Sequence, residues 1–427
     1  MNHLPWPKPW RLARPLAASA LCFVLSAAWA QTRPVSAPPD PPPAIVITMD
    51  MALHMAWRHS VEMAEAKGRQ ARAQAEQAVV QSWLSAPAAV SLSQREGGSG
   101  LPAGARETEL AIAMPLWRPG QRGSGAQAAE AEALWAQAAE EAARLRLAGA
   151  LREAAGSAHM AQAESRLADQ QVETLRQLAD DVARRVKAGD LAPADLLAVR
   201  AELLAAQAQA RGSQHAVQSQ LAAWRLLTGS EQLPQSTDRT SSEAQVPNSQ
   251  PESHPELQLA KAVVALSQRK LAQVLAQQGG APELTIGLRQ ERPGLGGAAQ
   301  NSMVVGLRLP FGGGTHQQPR IAAVSADLET AQAQARRTRE RISAELALAG
   351  AQLQASQAQA EMEQVRAALL RERAQLIAKS FQAGESPLPE LLRALGAAAL
   401  ADSASARQQA AVQLAHDRLQ QALGQLP

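Results

Sequence analysis

Two acidic residues occupy matching positions in two similar stretches of the chain. Asp195 stands six residues after Gly189, and Glu390 stands six residues after Gly384. A carboxylate in the first turn of a helix interacts favourably with the positive end of the helix dipole. Carboxylates that surround an opening attract cations and repel anions. The two acids are therefore candidates for a structural role at a helix start and for an ion-selective role.

The other reactive side chains form no pattern typical of an enzyme. No glycine-rich phosphate loop and no nucleophile elbow is present. His54 and His59 are five residues apart, a poor match for one helical face. The seven histidines that follow residue 30 are scattered along the chain: His54, His59, His159, His215, His254, His316 and His416. The sequence therefore predicts no catalytic site, no metal site and no cofactor.

The stretches around the two acids belong to an internal duplication. Residues 182–197 align with residues 377–392 without a gap, at an offset of 195. The same offset aligns residues 110–116 with residues 305–311. Each of the two longer stretches has a glycine suited to a left-handed helix C-cap and then a proline suited to a first helical turn. The sequence predicts two helical hairpins, with tips near residues 189 and 384.

Apolar residues alternate with small or polar ones in two other regions, and this period of two is typical of strands. Each region contains a glycine-rich loop, so each predicts a β-hairpin, over residues 88–117 and 283–311. The alternating residues of the first are Val90, Leu92, Leu110, Ile112, Met114 and Leu116. Those of the second are Leu284, Ile286, Leu288, Met303, Val305, Leu307 and Leu309.

Most of the remaining chain has the composition of long packed helices. Residues 123–188 contain no proline, and a helix of that length is roughly 100 Å long at 1.5 Å per residue. The return helix over 193–227 is about half as long. Together with a helix over 256–278, it would match the length of the long helix. The return helix over 388–425 would be completed by the helix over 47–83. We therefore expect these pairs to stack end to end beside each long helix.

The amino terminus has the features of an exported protein. Residues 1–30 combine basic residues, a short apolar stretch and a small-residue site, which predicts a signal peptide cleaved between Ala30 and Gln31. A single membrane anchor or a lipid on Cys22 are the alternatives. We then expect a proline-rich arm over 31–46, a first repeat over 47–230, a linker rich in serine and proline over 231–255, and a second repeat over 256–427.

The charge and hydropathy of the chain exclude two classes of protein. A formal net charge of +3 over 427 residues, with no basic face interleaved with aromatic residues, gives no indication of nucleic-acid binding. No apolar run of 18 residues follows residue 30, so no spanning helix is predicted.

Four strands of about nine residues are long enough to cross an outer membrane. A sheet in lipid must close, and four strands are too few, so a membrane sheet requires several copies of the chain. The alternative is that the hairpins cap a soluble coiled coil.

The duplicated pattern resembles the TolC-type outer-membrane efflux family, and within it the CzcC-like branch of heavy-metal exporters. The resemblance covers about residues 47–425. It is carried by residues 114–120 (MPLWRPG) and 309–314 (LPFGGG) at the strand ends, and by residues 186–197 (VKAGDLAPADLL) at the first tip.

That resemblance implies a mainly α fold with a small membrane β part: two long helical hairpins and four strands per chain. A homotrimer would form a 12-stranded β-barrel in the outer-membrane lipid, standing on a periplasmic α-helical barrel. It also implies a periplasmic adaptor protein and an inner-membrane pump of the RND or ABC type. The chain would be the exit duct of a tripartite efflux or type I secretion system.

The resemblance also assigns roles to the tips. Asp195, Glu390 and Arg393 would lie at the periplasmic gate, and six carboxylates would meet there in a trimer. The adaptor would dock on residues of the two tip turns: Ala188, Gly189, Asp190, Ala383, Gly384 and Glu385. A periplasmic coiled-coil adaptor or scaffold is the alternative function, and an envelope hydrolase is a more distant one.

Overall fold

The computed structural model describes residues 47–97, 104–234, 251–277, 279–294, 296–312 and 314–427. All of them belong to one compact unit, Val46–Pro427. The predicted signal peptide with its cleavage site at Ala30 and Gln31, the proline-rich arm, and residues 235–250 of the predicted linker lie outside the described residues.

The described chain begins with two helices, α1 (Met49–His59) and α2 (Val61–Gln81). The prediction of one continuous helix over 47–83 was wrong at a single residue. Ser60 has extended backbone angles, and its hydroxyl accepts the Met63 N–H at 3.1 Å, so it caps the start of α2. A serine in this position competes for backbone hydrogen bonds and favours a helix start over a helix interior.

Four antiparallel strands form the two predicted hairpins. They are β1 (Ala89–Glu96), β2 (Arg106–Pro115), β3 (Glu283–Arg292) and β4 (Gln300–Arg308). The sheet order is β1-β2-β3-β4, so its central pair joins the two repeats. Each strand lies inside the range that the alternating pattern predicted. β1 and β4 are the two edges of this sheet.

Long helices make up most of the remaining described chain. The first helical hairpin consists of α3 (Gln121–Ala188) and α4 (Pro193–Thr228). A short 3-10 helix, Pro251–Ser253, precedes α5 (Pro255–Ala276). The second hairpin consists of α6 (Gly314–Gln382) and α7 (Leu388–Ala422). Both predicted helical hairpins are present.

The helices of this unit pack side by side, and α3 is central. Next to the sheet the order is α2, α3, α5, α6, and next to the tips it is α4, α3, α7, α6. Polar bonds mark the two inner seams: Arg269 on α5 donates to Gln127 at 2.8 Å, and Arg418 on α7 donates to Glu153 at 2.8 Å. The order leaves α2 and α4 at one edge and α6 at the other.

The shorter helices stack end to end as expected, but with different partners. The end of α4 meets α1, where the fully buried Trp224 packs with Ala52 and Leu53. The end of α7 meets the start of α5, so closely that a Cβ on Gly424 would lie 2.8 Å from Pro255. The predicted pairs, α4 with α5 and α7 with the amino-terminal helix, are therefore wrong.

Candidate channel surfaces

One face of the sheet is apolar and exposed. The register aligns Val90, Ile112, Ile286 and Val305 in one row across the four strands. The next row contains Leu92, Leu110, Leu288 and Met303. These side chains remain between 37% and 72% exposed. An exposed apolar face of this size, which none of the described helices covers, indicates contact with a partner surface or with lipid.

The opposite face of the sheet is small, polar and charged. One of its rows contains Ser91, Ala111, Gly287 and Val304, and the next contains Ser93, Glu109, Arg289 and Ser302. Side chains alternate between the two faces of a strand. The sheet therefore has one face suited to lipid and one suited to water, as the wall of an aqueous channel requires.

Arg289 organises the charges of the polar face. Its guanidinium pairs with Glu107, lies 3.6 Å from Glu109 and lies 3.5 Å from Glu291. Arg95 on β1 lies 3.9 Å from Glu107. Three carboxylates and two guanidiniums thus form one network across β1, β2 and β3, with a net negative charge. The polar face of the sheet therefore carries an acidic network at these positions.

The two sides of the unit carry unpartnered surfaces. The sheet edges, β1 and β4, have no neighbouring strand among the described residues. On the helical part, α6 exposes an apolar stripe at helical spacing: Leu348, Met362, Val365, Leu369 and Leu376. Val365 and Leu369 line a groove of about 730 Å³ that Ala397 of α7 also borders. At the other side, α4 exposes Leu197 and Leu204.

Glycines make both tips as the sequence predicted. Gly189 and Gly384 have φ angles of 89° and 81°, the left-handed region that favours glycine. The Asp190 N–H donates to the Arg185 carbonyl at 2.9 Å, and the Glu385 N–H donates to the Ser380 carbonyl at 3.0 Å. Both turns therefore close with the same 6→1 hydrogen bond, which satisfies the last carbonyls of each long helix.

The two tips pack against each other. Val182 and Val199 of the first hairpin share a buried cluster with Phe381, Leu388 and Leu391 of the second. Arg185 lies over the Phe381 ring at 5.0 Å and also donates to the Phe381 carbonyl at 3.3 Å. A cation over an aromatic ring is attracted by the negative face of the ring. The hairpins are thus joined at the tip by apolar packing and one arginine.

The two predicted gate acids occupy equivalent helix positions but differ in their bonds. Both lie in the first turn of a return helix and are partly exposed. The Asp195 carboxylate accepts the Ala192 N–H at 3.2 Å, which is half of a capping box. Arg393 is exposed, and its Nε donates to the Pro389 carbonyl at 3.2 Å. Asp195 therefore serves its helix start, and its carboxylate also remains open to solvent.

The six predicted docking residues are all exposed. Ala188, Gly189 and Asp190 form one tip turn, and Ala383, Gly384 and Glu385 form the other. Neither glycine has a neighbour within 4 Å of where a Cβ would be. The tips therefore present open backbone and two acidic side chains.

Two features, one on the sheet and one at the tips, were not predicted from the sequence. The Arg289 network could have been found from the polar half of the alternating pattern, which puts Glu107, Glu109 and Arg289 on one face. The contact between Arg185 and Phe381 has no signal in either stretch alone, because it joins residues 196 positions apart.

The described residues contain no group of three or more histidine, cysteine, aspartate or glutamate side chains that could hold a metal ion. Within the same part of the chain, no helix is long and apolar enough to cross a membrane.

Solved structures share this architecture. The outer membrane protein VceC from Vibrio cholerae matches with a TM-score of 0.70 and 18% identity, over 88% of this chain and 96% of VceC. CusC matches with a TM-score of 0.74 and 16% identity, over 89% of this chain and 93% of CusC. The outer membrane channel CmeC from Campylobacter jejuni matches with a TM-score of 0.69 and 13% identity, over 88% and 85%.

This chain has the TolC-type channel fold. The expected fold class is confirmed, with its long helices and small sheet. No protein-family model and no curated protein matches the sequence. The heavy-metal branch of the efflux family therefore stays a prediction, as do the repeat boundaries.

Proposed function

We propose that the chain is the outer-membrane exit duct of a tripartite efflux or type I secretion system. It conducts substrates passively from a periplasmic adaptor and an inner-membrane pump of the RND or ABC type to the exterior. The observation that carries this proposal is the sheet, which is apolar and exposed on one face, charged on the other, and open at both edges. An adaptor or scaffold protein has no use for such a sheet.

Assembly as a homotrimer supplies what the single chain lacks. The free edge strands β1 and β4 leave backbone groups unpaired, which costs several kcal/mol per group in lipid. Pairing β4 of one copy with β1 of the next removes both edges, and three copies give the family's 12 strands. The α6 stripe lies at one edge of the helical part, and the exposed leucines of α4 lie at the other edge. The contact between neighbouring copies that pairs β4 with β1 would also cover these two apolar surfaces.

The tips are the proposed periplasmic end of this duct. Asp195 and Glu390 would place six carboxylates around one opening in a trimer, which favours cations. Asp190 and Glu385 lie on the turns beyond the helix starts, where an adaptor protein would make contact. The two acid pairs therefore have separate proposed roles.

Membrane fractionation followed by single-channel recording tests the proposal. The protein should sediment with outer membranes, purify as a trimer in detergent, and conduct ions in planar bilayers. The double variant Asp195→Asn with Glu390→Gln should assemble normally and lose cation preference. The matched variant Asp190→Asn with Glu385→Gln removes the same charge from the tip turns and should keep the selectivity of the wild type. A soluble monomer without conductance would overturn the duct.

A further inference from the structure

The exposed apolar face of the sheet changes character at the end farthest from the helices. Beyond the leucine row, the same face carries Gln94, Thr108, Gln290 and Asn301. The row beyond that carries Glu96, Arg106 and Arg292. Residues two apart along a strand share a face. A charged rim therefore continues the surface that the apolar rows form.

The rim places two like charges directly opposite each other. Arg106 and Arg292 are register partners in the central β2–β3 pair. Like charges at such positions destabilise a sheet. Glu96 compensates one of them, since its carboxylate lies 2.9 Å from the Arg106 guanidinium. Arg292 is exposed, and among the described residues it has no carboxylate within ion-pair distance. The three side chains together carry one excess positive charge.

We propose that Arg106 and Arg292 of this rim bind a phosphate group of an anionic lipid in the outer leaflet of the membrane, beside Glu96. The proposal rests on the proposed function, because only a membrane-inserted sheet turns this face toward lipid. Guanidinium groups bind phosphate through paired, charge-assisted hydrogen bonds. Two arginines side by side can hold one phosphate between them, and the anion removes their mutual repulsion.

The position of the rim identifies a lipid rather than a free anion as the occupant. The rim begins two rows beyond the last complete apolar row, where headgroups meet acyl chains. A phospholipid or glycolipid can put its phosphate on the arginines and its acyl chains on Leu110 and Leu288 below them. An inorganic phosphate gains only the first of these contacts.

The opposite face offers a matched control. Arg95 is adjacent to Glu96 in β1, lies at nearly the same height, and belongs to the charged network on the other face through Glu107, 3.9 Å away. Arg95→Gln removes one positive charge from the same end of the sheet without altering the lipid-facing rim.

Binding of diphosphoryl lipid A to the detergent-purified trimer tests the inference by native mass spectrometry. The wild type should bind diphosphoryl lipid A more tightly than lipid A stripped of its phosphates. Arg292→Gln should weaken binding about tenfold, since it removes a charge-assisted hydrogen bond to the phosphate. Arg292→Lys should retain part of the affinity, and Arg95→Gln should leave it unchanged.

Several results would overturn the inference. Equal binding of the two lipid A forms would show that phosphate is not recognised. An equal loss in Arg95→Gln would show a general charge effect. Competition by millimolar inorganic phosphate as effective as added lipid A would show a free-anion site. A channel that inserts and conducts while showing any of these outcomes would leave the proposed function standing, whereas a chain that never enters the membrane would overturn both.

Discussion

The two long helices, α3 and α6, occupy equivalent places in the duplication and have almost the same length, 68 and 69 residues. Their burial differs greatly. In the structure, α3 has 20 buried residues and α6 has seven. Most buried positions of α3 are alanines, which allow neighbouring helices to approach closely on both sides. Among the described helices, α6 packs mainly against α5 and α7, and it exposes large apolar side chains.

This difference indicates that the position of each helix within the unit, rather than its shared ancestry, determines which residues it buries. α3 is covered by other helices of its own chain, so its surface is complete in the monomer. α6 lies at the edge of the unit, and its leucine, valine and methionine stripe is exposed, so the proposed trimer would cover it with another copy. The contrast can be tested, because substitutions on α3 and α6 should fail in different ways.

The largest effect is expected on the α6 stripe. Val365→Glu with Leu369→Glu puts two charges into the groove that a second copy would cover. Burying an unpaired charge is far costlier than leaving it in water, so the trimer should be lost while the helical content is kept. Size-exclusion chromatography with light scattering, together with circular dichroism, measures both.

Leu134→Glu on α3 is the control for that variant. Leu134 is also exposed, at 57%, but α3 has neighbours from its own chain on both sides. We expect trimers to form normally. Loss of the trimer in this control, or its persistence in the α6 variant, would contradict the contrast between the two helices.

The next largest effect concerns the joint between α1 and α4. Trp224 is fully buried there, and its Nε1 donates to the Gln232 carbonyl at 3.0 Å. Trp224→Ala should lower the free energy of unfolding by about 3–5 kcal/mol, because it leaves a large cavity. Trp224→Phe should cost less, since most of the packing remains. Urea denaturation in detergent gives both values, and equal losses would assign the effect to the hydrogen bond.

A smaller effect, equal in the two repeats, is expected at the glycines of the two tips. Gly189→Ala and Gly384→Ala should each cost about 1–2 kcal/mol, because a Cβ strains the left-handed conformation although space is free. Gly350→Ala, inside α6 and also with free space, should instead stabilise by about 0.5–1 kcal/mol. Thermal denaturation distinguishes them, and a clearly unequal pair would show that the tips are not equivalent.

The smallest effect is expected at the joint between α7 and α5, where the stability of the protein should depend on pH. Burial lowers the pKa of His254 below its ordinary value, against the opposing effect of Glu256, and the nearby Arg341 adds to the decrease while Glu345 opposes it. The neutral ring also accepts the Glu256 N–H at 3.2 Å as the cap of α5. Because the unfolded chain takes up the proton first, stability should fall as pH drops below about 6.5.

His254→Asn keeps a capping acceptor and removes the titrating group. The difference in unfolding free energy between wild type and this variant, measured at pH 8 and at pH 5, should shift against the wild type at the lower pH. A difference that does not change with pH would show that His254 does not contribute to acid sensitivity.

Local chemistry made much of the fold predictable. Alternating apolar residues such as Val90 and Leu92 indicate a strand with one apolar face. A glycine with a proline shortly after it indicates a helix end followed by a helix start. These signals lie within a few residues of sequence. The strands and the tips were therefore predicted at their observed places.

The joints were not predictable, because helix length alone does not determine which helices stack end to end. The sums of lengths are nearly the same whichever half-length helices are stacked. The choice is made by tertiary contacts, such as Trp224 with Ala52 and Gly424 with Pro255. The break at Ser60 was missed for a related reason, since serine is also common inside long helices of this composition.

The candidate site was predictable only in part. The duplication indicated the positions of Asp195 and Glu390, and the structure shows that Asp195 caps the start of its helix. Whether they also form one acidic ring depends on copies of the chain that no single sequence contains. The arginine that joins the tips, Arg185, pairs with an aromatic residue present in the second repeat alone.

The central pair of the sheet has a further consequence. β2 and β3 come from different repeats, and Ile112 of one faces Ile286 of the other. The offset of 195 makes Leu307 of β4 the counterpart of Ile112. Leu92 of β1 is the counterpart of Ile286, because Leu92 pairs with Leu110 and Ile286 pairs with Val305, the counterpart of Leu110. If every repeat meets the next in the same way, three chains form a pseudo-sixfold ring, and Leu307 of one copy faces Leu92 of the next. Since Cys22 is the only cysteine of the chain, disulfide formation between cysteines placed at these two positions would read out that junction without background.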